Sequence, residues 1–301
     1  MGGSKIKSFW ISVVSISLFV VVAMALLLNI TFYIDDTGLH YVWVSDIDVF
    51  SDDNAPDFDS IEIISPGSNL VIKKADTFGY EFSAASSIIT THSIKDGKLK
   101  IEQQLKGKVF GLQIANNDDH ITVYVPEDAQ LKEIKASCKI GRYIFEGLKV
   151  ESFSHEVLHG DTDITYCTIG ELNIEIKSGN LLLEQTPAEK ATINMVSGNL
   201  RATDFDTKQL DFDFITGDFR LEGKREGKSR INCFSADMNL ILDNEDEEFA
   251  FNLTCLDGKV NYYDESLDSY VKSNGEAKNS LTILNEKGNI NIKHNINWAD
   301  Q

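Results

Sequence analysis

Positive charge is what this chain has least of. It carries 28 lysine and arginine residues against 47 aspartate and glutamate, giving a net charge of -19. That balance argues against nucleic acid as a partner and against adhesion to anionic lipid by charge. Cysteine is scarce, with four in 301 residues, and no C-x-x-C pair occurs, so the usual zinc signature is missing. No set of residues spells out a reaction. What remains is ordinary for a folded chain: 42% apolar and 25% charged residues, in a length that allows one or two domains.

Charge is also absent locally. None occurs between Lys7 and Asp35, a run of 27 residues. Phe9 to Ile30 is mostly apolar, long enough to cross a bilayer core of about 30 Å as a helix. Lys5 and Lys7 precede the run, while Asp35 and Asp36 follow it. The positive-inside rule then puts residues 1–7 in the cytoplasm, a transmembrane anchor at 8–34, and the remainder outside. Trp10, Phe32 and Tyr33 sit where interfacial aromatics belong. Ala23-Met24-Ala25 resembles a signal-peptidase site, but Leu26-Leu27-Leu28 follows, which favours an uncleaved anchor. Residues 35–58 are rich in aspartate and read as an acidic linker, interrupted by Tyr41-Val42-Trp43-Val44.

The strongest signal is a repeat. Gly141, Gly160, Gly179, Gly198, Gly217 and Ala236 are each nineteen residues apart, and Gly258 follows after twenty-two. The turn text recurs as Ser178-Gly179-Asn180, Ser197-Gly198-Asn199 and Thr216-Gly217-Asp218. Counting each unit from its glycine, positions 3, 5, 13, 15 and 17 are mostly apolar. Position 17, for example, reads Val157, Ile176, Met195, Phe214 and Cys233. Position 16 is polar: Glu156, Glu175, Asn194, Asp213 and Asn232. Alternation by two is strand spacing, not helix spacing. Three residues inserted in the acidic run 243–248 bring Phe251, Leu253 and Cys255 back into phase. A larger, mostly polar insert at 264–280 precedes Leu281, Ile283 and Gly288.

Two short strands and a glycine corner per unit predict an all-β fold: a single-chain β-solenoid with nineteen-residue rungs over 59–301. A propeller blade needs about 40 residues, so a propeller is disfavoured. Residues 60–125 read as irregular first rungs, with strands at Ile61-Glu62-Ile63, Leu70-Val71-Ile72, Leu99-Lys100-Ile101 and Ile121–Val125. The phase runs back to Ile134, Ala136 and Cys138.

The run Ile121-Thr122-Val123-Tyr124-Val125-Pro126-Glu127-Asp128-Ala129, then Leu131-Lys132-Glu133-Ile134, then the Ser-Gly-Asn and Thr-Gly-Asp turns, resembles the bacterial "putative adhesin" solenoid family over about residues 58–297. The resemblance implies a solenoid behind one membrane helix in a Gram-positive envelope protein, with an adhesive, sensing or protective role. The family supplies no agreed catalytic or binding residues. Ala236 and the two late insertions depart from its pattern.

Several local patterns invite chemistry. His155-Glu156-Val157-Leu158-His159 fits the zinc-protease string, but that motif needs a helix, and here it falls in strand text. Cys233 and Cys255 share an inward column on what the repeat makes adjacent rungs, which suits either a bridge or two stacked thiols; Cys167 is expected in a turn, unpaired. Asp218 with Asp237, and Glu156 with Glu175, should stack as like charges, relieved by solvation or by calcium. Arg201 and Arg220 stack at position 4, the one hint of a polysaccharide lyase. Asn180 and Asn199 read as an amide ladder. No catalytic, cofactor-binding or metal residue is assigned, and no cofactor.

The expected function is therefore a non-catalytic binding, adhesin-like or envelope-stress module in the cell membrane. Its partners would be the membrane through residues 8–34, and an envelope protein or cell-wall glycan. The alternative is a carbohydrate-active β-helix enzyme of the cell wall, lyase-like in mechanism.

Overall fold

The computed structural model describes residues 30–35, 38–43, 47–110, 119–245, 248–263, 265–274 and 276–294. Among these residues there are 26 strands and no α-helix. The nineteen-residue units form two parallel ladders. In one, Val157 pairs Ile176, Ile176 pairs Met195, Met195 pairs Phe214 and Phe214 pairs Cys233. In the other, Thr162, Leu181, Leu200, Phe219 and Met238 follow one another. Each step is one unit of sequence, so residues of one column become neighbours in space. All of them are buried, and the two ladders close on one continuous core. The early phase holds as well, since Ile134, Ala136 and Cys138 pair Phe153, His155 and Val157.

One corner of the rungs that begin at 141, 160, 179, 198 and 217 is made by glycine. Gly179 and Gly198 take φ +146° and +138°, a region that L side chains rarely adopt. A Cβ on either would lie 1.8 Å from the carbonyl oxygen of the preceding glycine, so the backbones themselves are in contact there. The residue after the glycine fastens the corner. Asn180 N donates to Asp161 Oδ1 at 2.9 Å, Asn199 N to Asn180 Oδ1 at 3.0 Å, and Asp218 N to Asn199 Oδ1 at 3.0 Å. The expected amide ladder is thus a side-chain-to-backbone ladder. The opposite corner is left-handed too: Gly147 at φ +70°, then, without glycine, Tyr166, Gln185 and Asp204 at +56°, +46° and +51°.

The ends depart from sequential stacking. Asn279–Lys287 lies between Arg225–Ser235 and Phe249–Asp257, parallel to both. Ile290–His294 lies likewise between Met238–Leu242 and Val260–Tyr262. Residues read as a polar insert turn back antiparallel: Glu265–Leu267 on Val260–Tyr262, and Ser269–Lys272 on Phe249–Asp257. At the other end, Ser60–Ser65 pairs both Leu131–Glu146 and Lys98–Leu105, and Asn69–Ala75 pairs both Leu131–Glu146 and His120–Pro126. Gly79–Ala85 and Ile88–Lys95 then close that end antiparallel, with Ile47–Asp52 outside Gly79–Ala85. Each terminal parallel ladder therefore ends on an antiparallel neighbour, a device that hides the ladder's bonding groups.

Only from residue 30 on do the described residues bear on the amino-terminal expectations, and there the chain is extended. Ile30–Asp35 is a strand, paired antiparallel with Gly38–Trp43 and Lys108–Phe110 in a separate three-stranded sheet. Residues 30–34 of the expected anchor 8–34 are therefore extended. The alternating aromatic and aliphatic residues Ile30, Phe32 and Ile34 suit a ladder as well as a membrane border. The expected linker 35–58 holds two strands, Gly38–Trp43 and Ile47–Asp52. The remainder of the anchor, and residues 1–7, lie outside the described residues. Among those described, no helix is long and apolar enough to cross a membrane.

Candidate functional site

His155 and Glu156 lie in the strand Lys149–Thr165, so alternation sends them to opposite sides. His155 is buried, while Glu156 and His159 are exposed. The zinc-protease string is therefore taken apart by the strand, as its sequence context implied. Inside, His155 Nδ1 lies 3.1 Å from Ala136 O, and the ring meets Tyr143 and Phe145 edge-on at 4.9 and 5.1 Å. Burial holds its pKa down at about 4, so the ring is neutral. Its Nε2, Tyr143 Oη and Thr162 Oγ1 are buried with no partner.

All four cysteines are buried free thiols. Burial pushes Cys138 up to about 12 and Cys233 and Cys167 up to about 11, which makes them poor nucleophiles. Cys167 occupies the second corner, where Leu148 N donates to its sulfur at 3.4 Å. Cys233 and Cys255 are not on adjacent rungs. Asn285 pairs with both and stands between them, because the last coil is threaded into the stack.

The expected like-charge rows exist. Glu156 and Glu175 are register partners, as are Arg201 and Arg220. Each row is relieved by a neighbour on its own strand: Lys177 pairs Glu175, and Arg220 pairs Glu222 at 3.2 Å. Asp218 and Asp237 follow one another at the glycine corner, Phe219 N donating to Asp237 O at 3.4 Å. Other pairs run from rung to rung, with Lys190–Glu171 at 3.1 Å and Arg230 on Asp211. Among the described residues, no group of three or more histidine, cysteine or acidic side chains is placed to hold a metal ion.

Three features escaped sequence reasoning. The first is Arg225, buried to 1% exposure. Its Nη1 donates to Phe205 O and, at 2.8 Å, to Lys224 O; Nε and Nη2 have no partner. Burial lowers its pKa to about 10. A shift in register between Thr207 and Gln209 places it in an inward row. The second is a pair of clefts. One, open to solvent, is lined by Ile169, Pro187, Ala188 and Thr207 together with the pairs Lys208–Glu189 and Lys224–Glu226. The other, at the amino-terminal end, brings together Asp57, Asp59, Asp76 and Asp128 beside Phe58 and Phe78. There Lys132, 2.6 Å from Asp59, holds that carboxyl below its usual range.

The third is a surface. Position 18, which the apolar columns skipped, reads Leu158, Lys177, Val196, Ile215, Phe234 and Leu256, all exposed and apolar but for Lys177. Val196, Ile215 and Phe234 fall on three consecutive rungs, at 37%, 47% and 46% exposure. Beside them on the same face runs the polar row Asn194, Asp213 and Asn232, with Asn232 Nδ2 donating to Asp213 Oδ1 at 2.8 Å. Lys287 Nζ lies 5.4 Å from the centre of the Phe234 ring. Apolar side chains contiguous on a surface mark interaction faces more often than isolated ones do.

Comparison with known proteins agrees with this architecture. A crystal structure called a "putative adhesin", from Bacteroides fragilis NCTC 9343, matches with a TM-score of 0.51 at 14% identity, covering 84% of this chain and 98% of that one. Identity that low speaks for the fold alone. A "putative cell adhesion protein" from Clostridium sporogenes ATCC 15579 matches at 13% identity and TM-score 0.29, over 83% of this chain and 99% of that one. A "putative lipid binding protein" from Parabacteroides distasonis ATCC 8503 matches at 12% and 0.36, over 83% and 97%. No curated protein matches the chain. The family model described as Toastrack DUF4097 matches residues 58–293, most of the chain, and the chain belongs to that family.

Proposed function

We propose that this protein is a membrane-anchored, extracytoplasmic binding module, whose solenoid presents a striped face to a cell-wall glycan or an envelope protein. The observation that carries the reading is the pair of parallel rows on one ladder: apolar Val196, Ile215 and Phe234 beside polar Asn194, Asp213 and Asn232. Successive rungs repeat the pair at about 4.8 Å. A rigid ladder sets that spacing, so a ligand with its own repeat meets matched groups at little conformational cost. The anchor is proposed on residues 8–29, which carry no charge and as a helix would extend about 33 Å. The name given to the Bacteroides fragilis neighbour is in keeping with a binding role.

The test is binding of the detergent-solubilised chain to purified wall glycan and to envelope extract. Ile215→Asp with Phe234→Asp leaves the core columns alone and should weaken capture at least tenfold. Unchanged capture by that double variant would remove the striped face from the account. Release of products from acidic polysaccharide, with or without calcium, would replace the binding reading by the lyase alternative.

A further inference from the structure

The last coil of the chain is not the last layer of the stack. Asn285 pairs Cys233 on one side and Cys255 on the other. Its flanking residues do the same: Leu281 stands between Ser229 and Phe251, Ile283 between Ile231 and Leu253, and Ile290 between Met238 and Val260. All six outer residues are buried and face inward. Withdrawal of residues 279–294 would therefore let 249–262 settle on 225–242 with every inward column still matched. That sequential order is the one the repeat itself describes. The threaded order is held by specific polar bonds. Asn285 Nδ2 donates to Ala236 O at 2.9 Å, Asn289 N to Asp237 Oδ1 at 2.8 Å, and Gly227 N to Asn279 Oδ1 at 2.9 Å. Against them stands Asn285 Oδ1, fully buried and without a partner.

We propose that residues 279–294 form a removable layer, and that a Cys233–Cys255 disulfide is the modification that holds the chain in the sequential order. In the threaded order the two cysteines are two strand spacings apart, about 9.6 Å, beyond the reach of a bridge. In the sequential order they are one spacing apart, about 4.8 Å, within disulfide range. The Cys255 thiol donates to Gly288 O at 2.8 Å, a carbonyl of the layer that leaves. A disulfide oxidant such as oxidised glutathione balances the step. The two thiols lose two protons and two electrons and form one S–S bond, and one oxidised glutathione becomes two reduced.

The experiment uses the full chain in a glutathione redox buffer, with urea raised below the global transition, and maps disulfides by peptide mass. A Cys233–Cys255 bridge should accumulate at least tenfold faster in the urea than without it. Leu281→Asp, which spoils only the removable layer, should give the same acceleration without urea. The bridged chain should lose amide-exchange protection at 280–287 and 290–294, keep it at 188–216, and regain it on reduction. If the Leu281 variant does not fold, the wild-type urea arm decides alone. Failure of this bridge to form, or a bridged chain that stays protected at 280–287, overturns the proposal.

Discussion

Replacing Gly198 by alanine tests the corner directly. The backbone there has φ +138°, which costs an L residue about 1–3 kcal/mol. The new Cβ would lie 1.8 Å from Gly179 O and 2.6 Å from its carbonyl carbon. Both partners are main chain, so neither can swing aside and the two rungs must part. Parting breaks the bond from Gly179 N to Ser197 O, at 3.0 Å, and that from Asn199 N to Asn180 Oδ1, at 3.0 Å. Each contributes about 1 kcal/mol. The expected loss is about 3–5 kcal/mol. Gly147→Ala is the control. Its φ is +70°, but the Cβ would meet the flexible end of Lys74, and about 1–2 kcal/mol is expected. Nature supplies a second control in Ala236, which fills the glycine column without a left-handed backbone, while Gly288 takes φ +95° against it. Urea unfolding gives the energies, and amide exchange should place the damage at 179–216, because each rung leans only on its neighbours. If Gly198→Ala costs no more than Gly147→Ala, the contact between stacked glycines does not govern the corner.

Asn180→Ala removes the acceptor for Asn199 N at an exposed site, and urea unfolding should show a loss of about 0.5–1.5 kcal/mol. His155 is neutral when folded, with its pKa near 4 against 6.5 for the free side chain, so the unfolded chain takes up a proton first as pH falls. Stability should therefore drop between about pH 6.5 and 4, by up to about 1.4 kcal/mol per unit, and His155→Leu should flatten that slope in unfolding curves. A slope unchanged in the leucine variant would place the proton elsewhere. Arg225→Met removes a buried charge that makes no salt bridge among the described residues, with Asp206 and Asp243 acting on it only through space; thermal unfolding should show equal or greater stability, by up to a few kcal/mol. A loss of more than about 2 kcal/mol would mean that the guanidinium bonds to Phe205 O and Lys224 O outweigh desolvation.

The repeat was legible because a glycine corner and five apolar columns are properties of single residues at fixed intervals. Leu181, Leu200 and Phe219 had to stack once the period was known, and they do. The second corner was not legible, because Tyr166, Gln185 and Asp204 share a backbone shape and no side-chain chemistry. Threading of 279–294 was hidden for a deeper reason. Periodicity says which residues can be neighbours in a column, and two stacking orders satisfy the same columns. The choice rests on a few amides such as Asn285 and Asn289, which composition cannot rank. The aromatic and aliphatic run at 30–34 continued an uncharged stretch, so hydropathy alone could not separate helix from strand there. The striped face went unseen for a plainer reason: position 18 lies outside the inward columns, and apart from Lys177 its residues are apolar yet exposed.

Because antiparallel strands shut both extremities, the number of middle layers is a free dimension of the molecule. Duplicating residues 179–197 in tandem would supply one more unit whose edges fit those on either side. The molecule would grow by about 4.8 Å without disturbing either lid. Gene duplication could thus set the reach of such a rod while leaving its terminal seals as they are.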